Sequence, residues 1–415
     1  MRAADMITGR PHTTQSVLLV ALAALCASAH ATDWEASLDT RLVSSDADRS
    51  VMDGGLAPVR FDRDDSLVQL GRARLALTQP IGELWSARVD ASIYDDKGGS
   101  LAGVTEGYLQ FRPYPHAGYR LRVKAGAFYA PVSMENRASG WDSPYTISYS
   151  AIDSWLAVEL RTIGLEANLD WLGTRLGHSF DLGVTAAVFG WNEQAGAVLA
   201  STGFSLTDRQ TPLFGRVGQP GVPPLYGVEP FVQIDGRVGG YAGIEARYLD
   251  RLTLRVLRYD NRADPTATDT VAGTIAWDTR FTSAGLRAEG ASGWTGILQW
   301  LQGTTSIAPG GFNIEWPFNS AYGLVSRRIG RHTLSARYDR FNVEVRGAGS
   351  DGAQSGHAWT AAYAFDLSQH WRIALEWLQV HSDLYERQDL LGASPWSTQT
   401  QFQLAVRYSL GSALR

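Results

Sequence analysis

The chain has 415 residues, a net charge of −5, 44% hydrophobic residues, and basic residues that are nearly all arginine, Lys97 and Lys124 being the two lysines. That balance excludes a nucleic-acid binder, which carries a basic excess. One cysteine, Cys26, excludes a disulfide framework, so a large exported chain has to be held by its sheet and packing.

Residues 1–31 read as a cleaved signal peptide. Arg2 and Arg10 precede the apolar run VLLVALAALC (Val17 to Cys26), and Ala29-His30-Ala31 supplies the A-x-A cleavage site. The run is about ten residues, too short to span a bilayer as a helix. Beyond it no apolar stretch is long enough for a helical span, so a membrane could be crossed only by strands.

Residues 32–415 read as one domain built on alternation. Trp34, Ala36, Leu38, Thr40 and Leu42 alternate with Glu35, Ser37, Asp39 and Arg41, so period-two geometry puts the apolar set on one face and the polar set on the other. After the acidic loop Ser44 to Asp65, Leu67 to Gln79 and Glu83 to Tyr94 form a hairpin about Pro80-Ile81-Gly82. Arg72, Arg74, Arg88 and Asp90 face inward, with Arg74 expected opposite Arg88. Val104 to Arg112 turns Glu106, Tyr108, Gln110 and Arg112 inward. Next, YRLRVKAGAF places Arg120, Arg122 and Lys124 inward against outward Leu121, Val123 and Ala125, and Glu106 can face Lys124 if that hairpin's register allows.

A loop over 129–158 follows, rich in Ser, Gly, Pro and aromatic residues. It is the third outer loop, where a barrel can fold a constriction into its own lumen. Its candidate residues are Glu135, Arg137, Asp142 and Asp153, which can set a field against the basic wall, and Trp141, Tyr145, Tyr149 and Trp155, which can stack on sugars or merely pack. Arg161 to Trp171 and Phe180 to Trp191 continue the alternation. Residues 192–239, with five prolines, read as one large outer loop. If Ala197–Leu206 and Phe231–Arg237 both crossed, the barrel would gain two strands.

From Gly240 on, hairpins meet at Leu249-Asp250-Arg251, Gly290-Ala291-Ser292, Ile329-Gly330-Arg331 and Ser368-Gln369-His370. Longer loops separate them at Asn261 to Ala276, Thr305 to Pro317, Glu344 to Gly356 and Asp383 to Ser397. Short turns alternating with long loops predict an all-β transmembrane antiparallel barrel of about sixteen strands, or about eighteen with the extra pair. A charge on the lipid face costs about 2–4 kcal/mol at mid-membrane, which accounts for the inward parity of the arginines. Glu166, Asp170, Glu245, Glu289, Asp339 and Glu376 alternate inward with Arg247, Arg255, Arg287, Arg337, Arg372 and Arg407, giving a mixed lumen with a basic sector.

Three stretches carry a family resemblance: GRARLALTQPIGELWSARVDASIY (Gly71 to Tyr94), VTEGYLQFRP (Val104 to Pro113) and RVKAGAFYAPVSMEN (Arg122 to Asn136). They resemble the phosphate-selective (O/P-type) porins of Gram-negative outer membranes; beyond residue 136 the likeness is architectural. The resemblance implies a homotrimeric water-filled channel for passive diffusion of small hydrophilic solutes, set in outer-membrane lipid. The chain departs from it in having two lysines and in ending its last alternation at Tyr408 and Leu410 rather than Phe or Trp.

The pore-lining basic set Arg72, Arg74, Arg88, Arg112, Arg120, Arg122 and Lys124, with Asp90 and Glu106 against it, implies a mild anion preference. The acidic loop clusters Asp62, Asp64, Asp65 and Asp260, Asp264, Asp269 lack a cation-ligand loop, and His116, His178, His332 and His370 lie at turns without partners at ligand spacing. No G-x-S-x-G elbow or Ser/His pair is present, so no catalytic residue, metal or cofactor is expected. A non-conducting surface barrel (adhesin or structural), and after it a barrel enzyme, are the alternative readings.

Overall fold

A computed structural model describes residues 32–221, 227–271, 273–347 and 353–412. The expected signal peptide, residues 1–31, lies outside the described residues. Sixteen strands cross the wall. They are β1 (Asp33–Ser45), β2 (Val68–Ile81), β3 (Trp85–Ile93), β4 (Ala102–Phe111), β5 (Tyr119–Phe128), β6 (Thr162–Trp171), β7 (Phe180–Gly190) and β8 (Gly239–Tyr248). The second half comprises β9 (Leu252–Asp260), β10 (Asp278–Glu289), β11 (Trp294–Ile307), β12 (Ile314–Ile329), β13 (His332–Val343), β14 (Gln354–Asp366), β15 (Trp371–Leu384) and β16 (Trp396–Gly411). Each pairs antiparallel with the next, and β1 pairs with β16 (Leu38 opposite Tyr408, Leu42 opposite Leu404), which closes the ring and leaves no sheet edge. A two-residue piece, Arg346–Gly347, extends the ladder of β12.

The alternation sorts the wall as its chemistry requires. Outward Leu75, Leu165, Val184, Leu254 and Leu298 are exposed, while inward Asp39, Arg72, Asp90, Asp170 and Arg337 are buried. Trp34, Trp85, Trp294 and Trp371 stand outward at the short-turn end, the place of an interfacial girdle.

The expected register of Arg74 with Arg88 is corrected, and the register left open for Glu106 does not bring it to Lys124. Arg88 pairs with Thr78, and Arg74 with Ser92, because the hairpin pivots on Gly82-Glu83-Leu84, Gly82 supplying φ of 65°. Lys124 stands opposite Gln110 and Glu166, not Glu106; the Glu106 carboxylate instead accepts the Tyr129 N–H at 3.1 Å. The Thr305–Pro317 loop is also shorter than expected, since β11 runs to Ile307 and β12 starts at Ile314. The two extra crossings do not form. Ala197–Thr202 is a short helix, α2, and no strand of the wall falls between Gly190 and Gly239 among the described residues.

The lumen contains its own apolar core. Helix α1 (Ala151–Glu159) starts at Ser150, whose hydroxyl accepts the Asp153 N–H, and every residue of the helix is buried. Trp155 sits 5.3 Å from Phe281, 5.0 Å from Phe318 and 6.4 Å from Phe204, ring centre to ring centre. Leu257, Tyr259, Leu301, Leu324, Phe341 and Val380 join the same cluster from inward positions on β9 to β15. Burying each large side chain contributes roughly 1.5–3 kcal/mol, and only inserted chain can cover an inward apolar wall in place of water.

Residues 192–221 and 227–238 supply much of the remaining cover. Phe204 is held by its backbone N–H to Gln354 Oε1 (2.7 Å), and Leu206 by a bridge to Val59 in the first outer loop. A buried ion chain ties these pieces to the wall. Arg41 of β1 pairs with Asp208 (2.5 Å), Asp208 with Arg60 (3.0 Å), Arg60 with Asp96 (3.0 Å) and Asp96 with Arg209 (2.6 Å). Burial raises the Asp208 carboxyl, but Arg41 and Arg60 beside it hold it well below the usual carboxylate range.

Candidate functional site

Segment 129–158 leaves the long-loop end of β5 and turns into the barrel, touching inward side chains on several staves. Arg255 Nη1 donates to the carbonyls of Pro131 and Ser133 (both 3.0 Å), and Gln299 accepts the Met134 N–H at 2.9 Å. Glu376 accepts the N–H groups of Ile147 (2.6 Å) and Ser148 (3.0 Å), and Arg372 donates to the Pro144 carbonyl at 2.7 Å.

The acids of this segment do not act together. Asp142 meets the basic wall: it accepts from Arg72, from Arg407 at 2.9 Å and from the Tyr149 hydroxyl at 2.8 Å. Glu135 lies on the far side, fully buried, accepting the Ser150 N–H at 2.7 Å with Arg337 at 3.4 Å. Burial pushes its carboxyl up to about 7 despite the Arg337 charge. Asp153, buried beside Glu135, is driven well above the ordinary range by burial and then by that neighbour. The transverse field drawn from all three acids is therefore corrected: two of them lie behind the segment, away from the β2–β5 wall.

The aromatic residues are packed rather than presented. Tyr145, Tyr149 and Trp155 are buried, and Trp141, at φ of 55°, stacks on Tyr129 at 4.2 Å and meets Tyr149 edge-on at 5.6 Å. A sugar-stacking surface is not what they form.

On the wall, the cations nearest the start of the chain are neutralised. Arg74 donates to Asp90 (Nε to Oδ1, 2.8 Å) and pairs with Glu35 at 3.2 Å, while Arg88 shares Asp90 at 3.2 Å and donates to Thr78 at 3.0 Å. Asp90 thus lies between two arginines that would otherwise repel. Arg112 lies one residue beyond β4, exposed at the short-turn rim, because the strand ends at Phe111; it does not line the wall. Arg120 pairs with Asp170 at 2.8 Å.

The open space lies elsewhere. Between the segment and the β5–β9 wall is a cavity of about 270 Å³, lined by Arg122, Lys124, Arg137, Arg247 and Arg255, with Glu166 and Glu245 as its two carboxylates. Lys124 is 3.6 Å from Glu166, and Arg122 donates to the neutral Asn168 at 2.6 Å and to Asp170 at 3.2 Å. Arg255 and Arg247 share Glu245, with Arg247 at 2.7 Å. Arg137 is exposed and makes no side-chain hydrogen bond or ion pair among the described residues. At this cavity, unlike at Arg72 where it offers Asp142, the inserted segment therefore presents a cation. Arg247 and Arg255 had inward parity in the sequence, but nothing there joined them to Arg122. That contact depends on strands that meet only in the folded ring.

A second space, about 390 Å³, opens toward the short turns on the other side of the segment. Arg74, Arg372 and Arg407 line it against Glu35, Asp142 and Asp366, a balanced set. In the first outer loop, Asp53, Asp62 and Asp65 converge within 4.8 Å, with the Lys97 ammonium 2.8 Å from Asp65. That cation already supplies the positive charge the cluster calls for.

No family model and no curated protein matches the chain. Solved structures do. The outer-membrane channel DcaP of Acinetobacter baumannii aligns with TM-score 0.53 at 10% identity, over 92% of this chain and 96% of that one. An OmpT outer-membrane protein of Vibrio cholerae, in trimer form, aligns with TM-score 0.51 at 10% identity, over 92% and 99%. An anion-selective porin from Comamonas acidovorans aligns with TM-score 0.50 at 14% identity, over 92% and 99%. The chain has the porin fold. At these identities the likeness concerns the barrel, and the side chains must carry any functional reading.

Proposed function

We propose that the protein is an outer-membrane porin, exported through a cleaved signal peptide and assembled as a homotrimer, that passes small hydrophilic solutes with a preference for anions. The observation that carries this is the cavity beside segment 129–158, where five cations face two carboxylates inside a closed barrel. In this reading the segment is the constriction, and Arg122, Lys124, Arg137 and Arg255 lower the barrier for an anion. The likeness of residues 71–136 to phosphate-selective porins supports the porin part of this reading. Liposome swelling tests it: small anionic solutes should enter faster than neutral solutes of equal size, and Arg137→Glu should remove the difference. Equal rates in the unaltered protein would refute the anion preference.

A non-conducting surface barrel is the second reading, favoured by the apolar core that α1 builds inside the lumen with Leu199, Phe204 and Leu206. Liposomes that carry the folded protein yet never swell would favour it.

A further inference from the structure

The outer face of the wall carries a site that the channel reading does not use. Along β9 and β10 the inward side chains Leu257, Tyr259, Thr279 and Phe281 are buried, so Arg258 and Arg280 point outward, toward the membrane side. Both sit two residues from the long-loop end of their strands, one outward step beyond exposed apolar residues such as Val256. Between them and β11 is a hollow of about 220 Å³, lined by Arg258, Arg280, Thr282, Trp300, Gln302 and Thr304. Arg258 Nη1 donates to Thr282 Oγ1 at 3.1 Å and makes no ion pair among the described residues. Arg280 has one loose partner, Asp278, at 3.6 Å. Asp260, opposite Arg280, accepts the Arg262 N–H at 2.8 Å.

An outward arginine costs about 2–4 kcal/mol at mid-membrane and about 0–1 near the interface, so a pair at this height belongs to the headgroup layer. There its unused guanidinium donors match phosphate oxygens, and a tryptophan beside them matches the depth at which aromatic rings sit. The level is a polar band rather than a single accident. Arg340 on β13 and the stacked pair His357 and His381 (4.8 Å) on β14 and β15 also face outward toward the long loops.

We infer that the hollow between Arg258 and Arg280 binds the phosphate-bearing headgroup of a membrane lipid in the long-loop leaflet. Arg258 and Arg280 fork onto the phosphate, Gln302 and Thr304 add neutral donors, and the acyl chains run down the apolar rows of β9 to β11. The inference rests on the barrel being membrane-embedded, so the test includes a flotation arm that reports embedding separately.

The folded full chain in non-ionic micelles is titrated with phosphatidic acid, phosphatidylcholine or inorganic phosphate and read by native mass spectrometry. The unaltered protein should retain phosphatidic acid in preference to phosphatidylcholine, and inorganic phosphate should not displace it. Arg258→Ala/Arg280→Ala should weaken retention by at least about tenfold, the loss expected from even one charge-assisted hydrogen bond. Arg327→Ala removes another outward arginine, one that lies over Trp294 (5.0 Å) at the opposite end, and should change nothing. Equal retention by the double variant, or displacement by inorganic phosphate, would overturn the site. So would a double variant that alters subunit association but not lipid retention. Failure of the protein to float with liposomes would instead count against the membrane reading.

Discussion

Glu159 at the end of α1 holds α2 inside the barrel, and Glu159→Ala should release it. Its Oε1 accepts the N–H groups of Gly196 (3.0 Å) and Val198 (2.8 Å). Its Oε2 accepts that of Leu199 (2.9 Å) and the Trp155 indole N–H (2.8 Å). Alanine leaves four buried donors without an acceptor, at about 1 kcal/mol or more each. Burial sets the Glu159 carboxyl at about 7, so near pH 6 it is largely neutral and its loss relieves little buried charge. Water entering the vacated space recovers part of the cost, leaving about 3 kcal/mol, or roughly a hundredfold in local opening. Hydrogen exchange of the α2 amides measures this directly, with the strands of the wall as internal control. Unchanged α2 protection in a folded Glu159→Ala barrel would show that the carboxylate is not what holds the segment.

Glu159, Glu193 and Asp53 are all raised by burial, the first two to about 7 and the third to about 6. The docked state therefore holds protons that the opened state has released between about pH 4.5 and 7. Docking is strongest at the acid end of that window and weakens as pH rises through 7. Asp208 has the opposite sign but acts only below the ordinary carboxylate range. Protection of α2, normalised for intrinsic exchange, should fall from pH 5 to pH 8, and Glu159→Gln should flatten the slope; a rise with pH would contradict the assignment.

Arg337→Ala removes the guanidinium that pairs with Asp339 (2.8 Å) and donates to the carbonyls of Ser148 and Tyr149 (both 2.8 Å). Leaving Asp339 and Glu135 buried without it should cost about 3–5 kcal/mol. The check is protease cleavage within 129–150, expected in the variant and absent from the unaltered protein.

Much of the wall was legible because strand side chains alternate strictly and one face must meet lipid. The parity of Leu38 and Arg41, or of Leu121 and Arg122, needs no tertiary information. Register is different: shifting the pivot from Ile81 to Glu83 changed the partners of Arg74 and Arg88 without changing any residue's face. The inner core was illegible for a related reason. Where both faces are apolar, as at Phe318 and Leu324 against Ala321 and Val325, alternation still assigns sides but does not say that inserted chain covers the inner one. The cation cavity was half legible. Lys124 and Arg122 declared their face, but their meeting with Arg137 and Arg255 depends on where a loop folds, and loop sequence gives no direction.

In the proposed channel the conducting passage runs past Arg122, Lys124, Arg137 and Arg255. Reversal potential in a planar bilayer under a salt gradient tests it most directly. Stepwise channels with anion selectivity are expected, the selectivity being lost in Arg122→Gln/Arg137→Gln. Folded, inserted protein that never conducts, or that prefers cations, would contradict it.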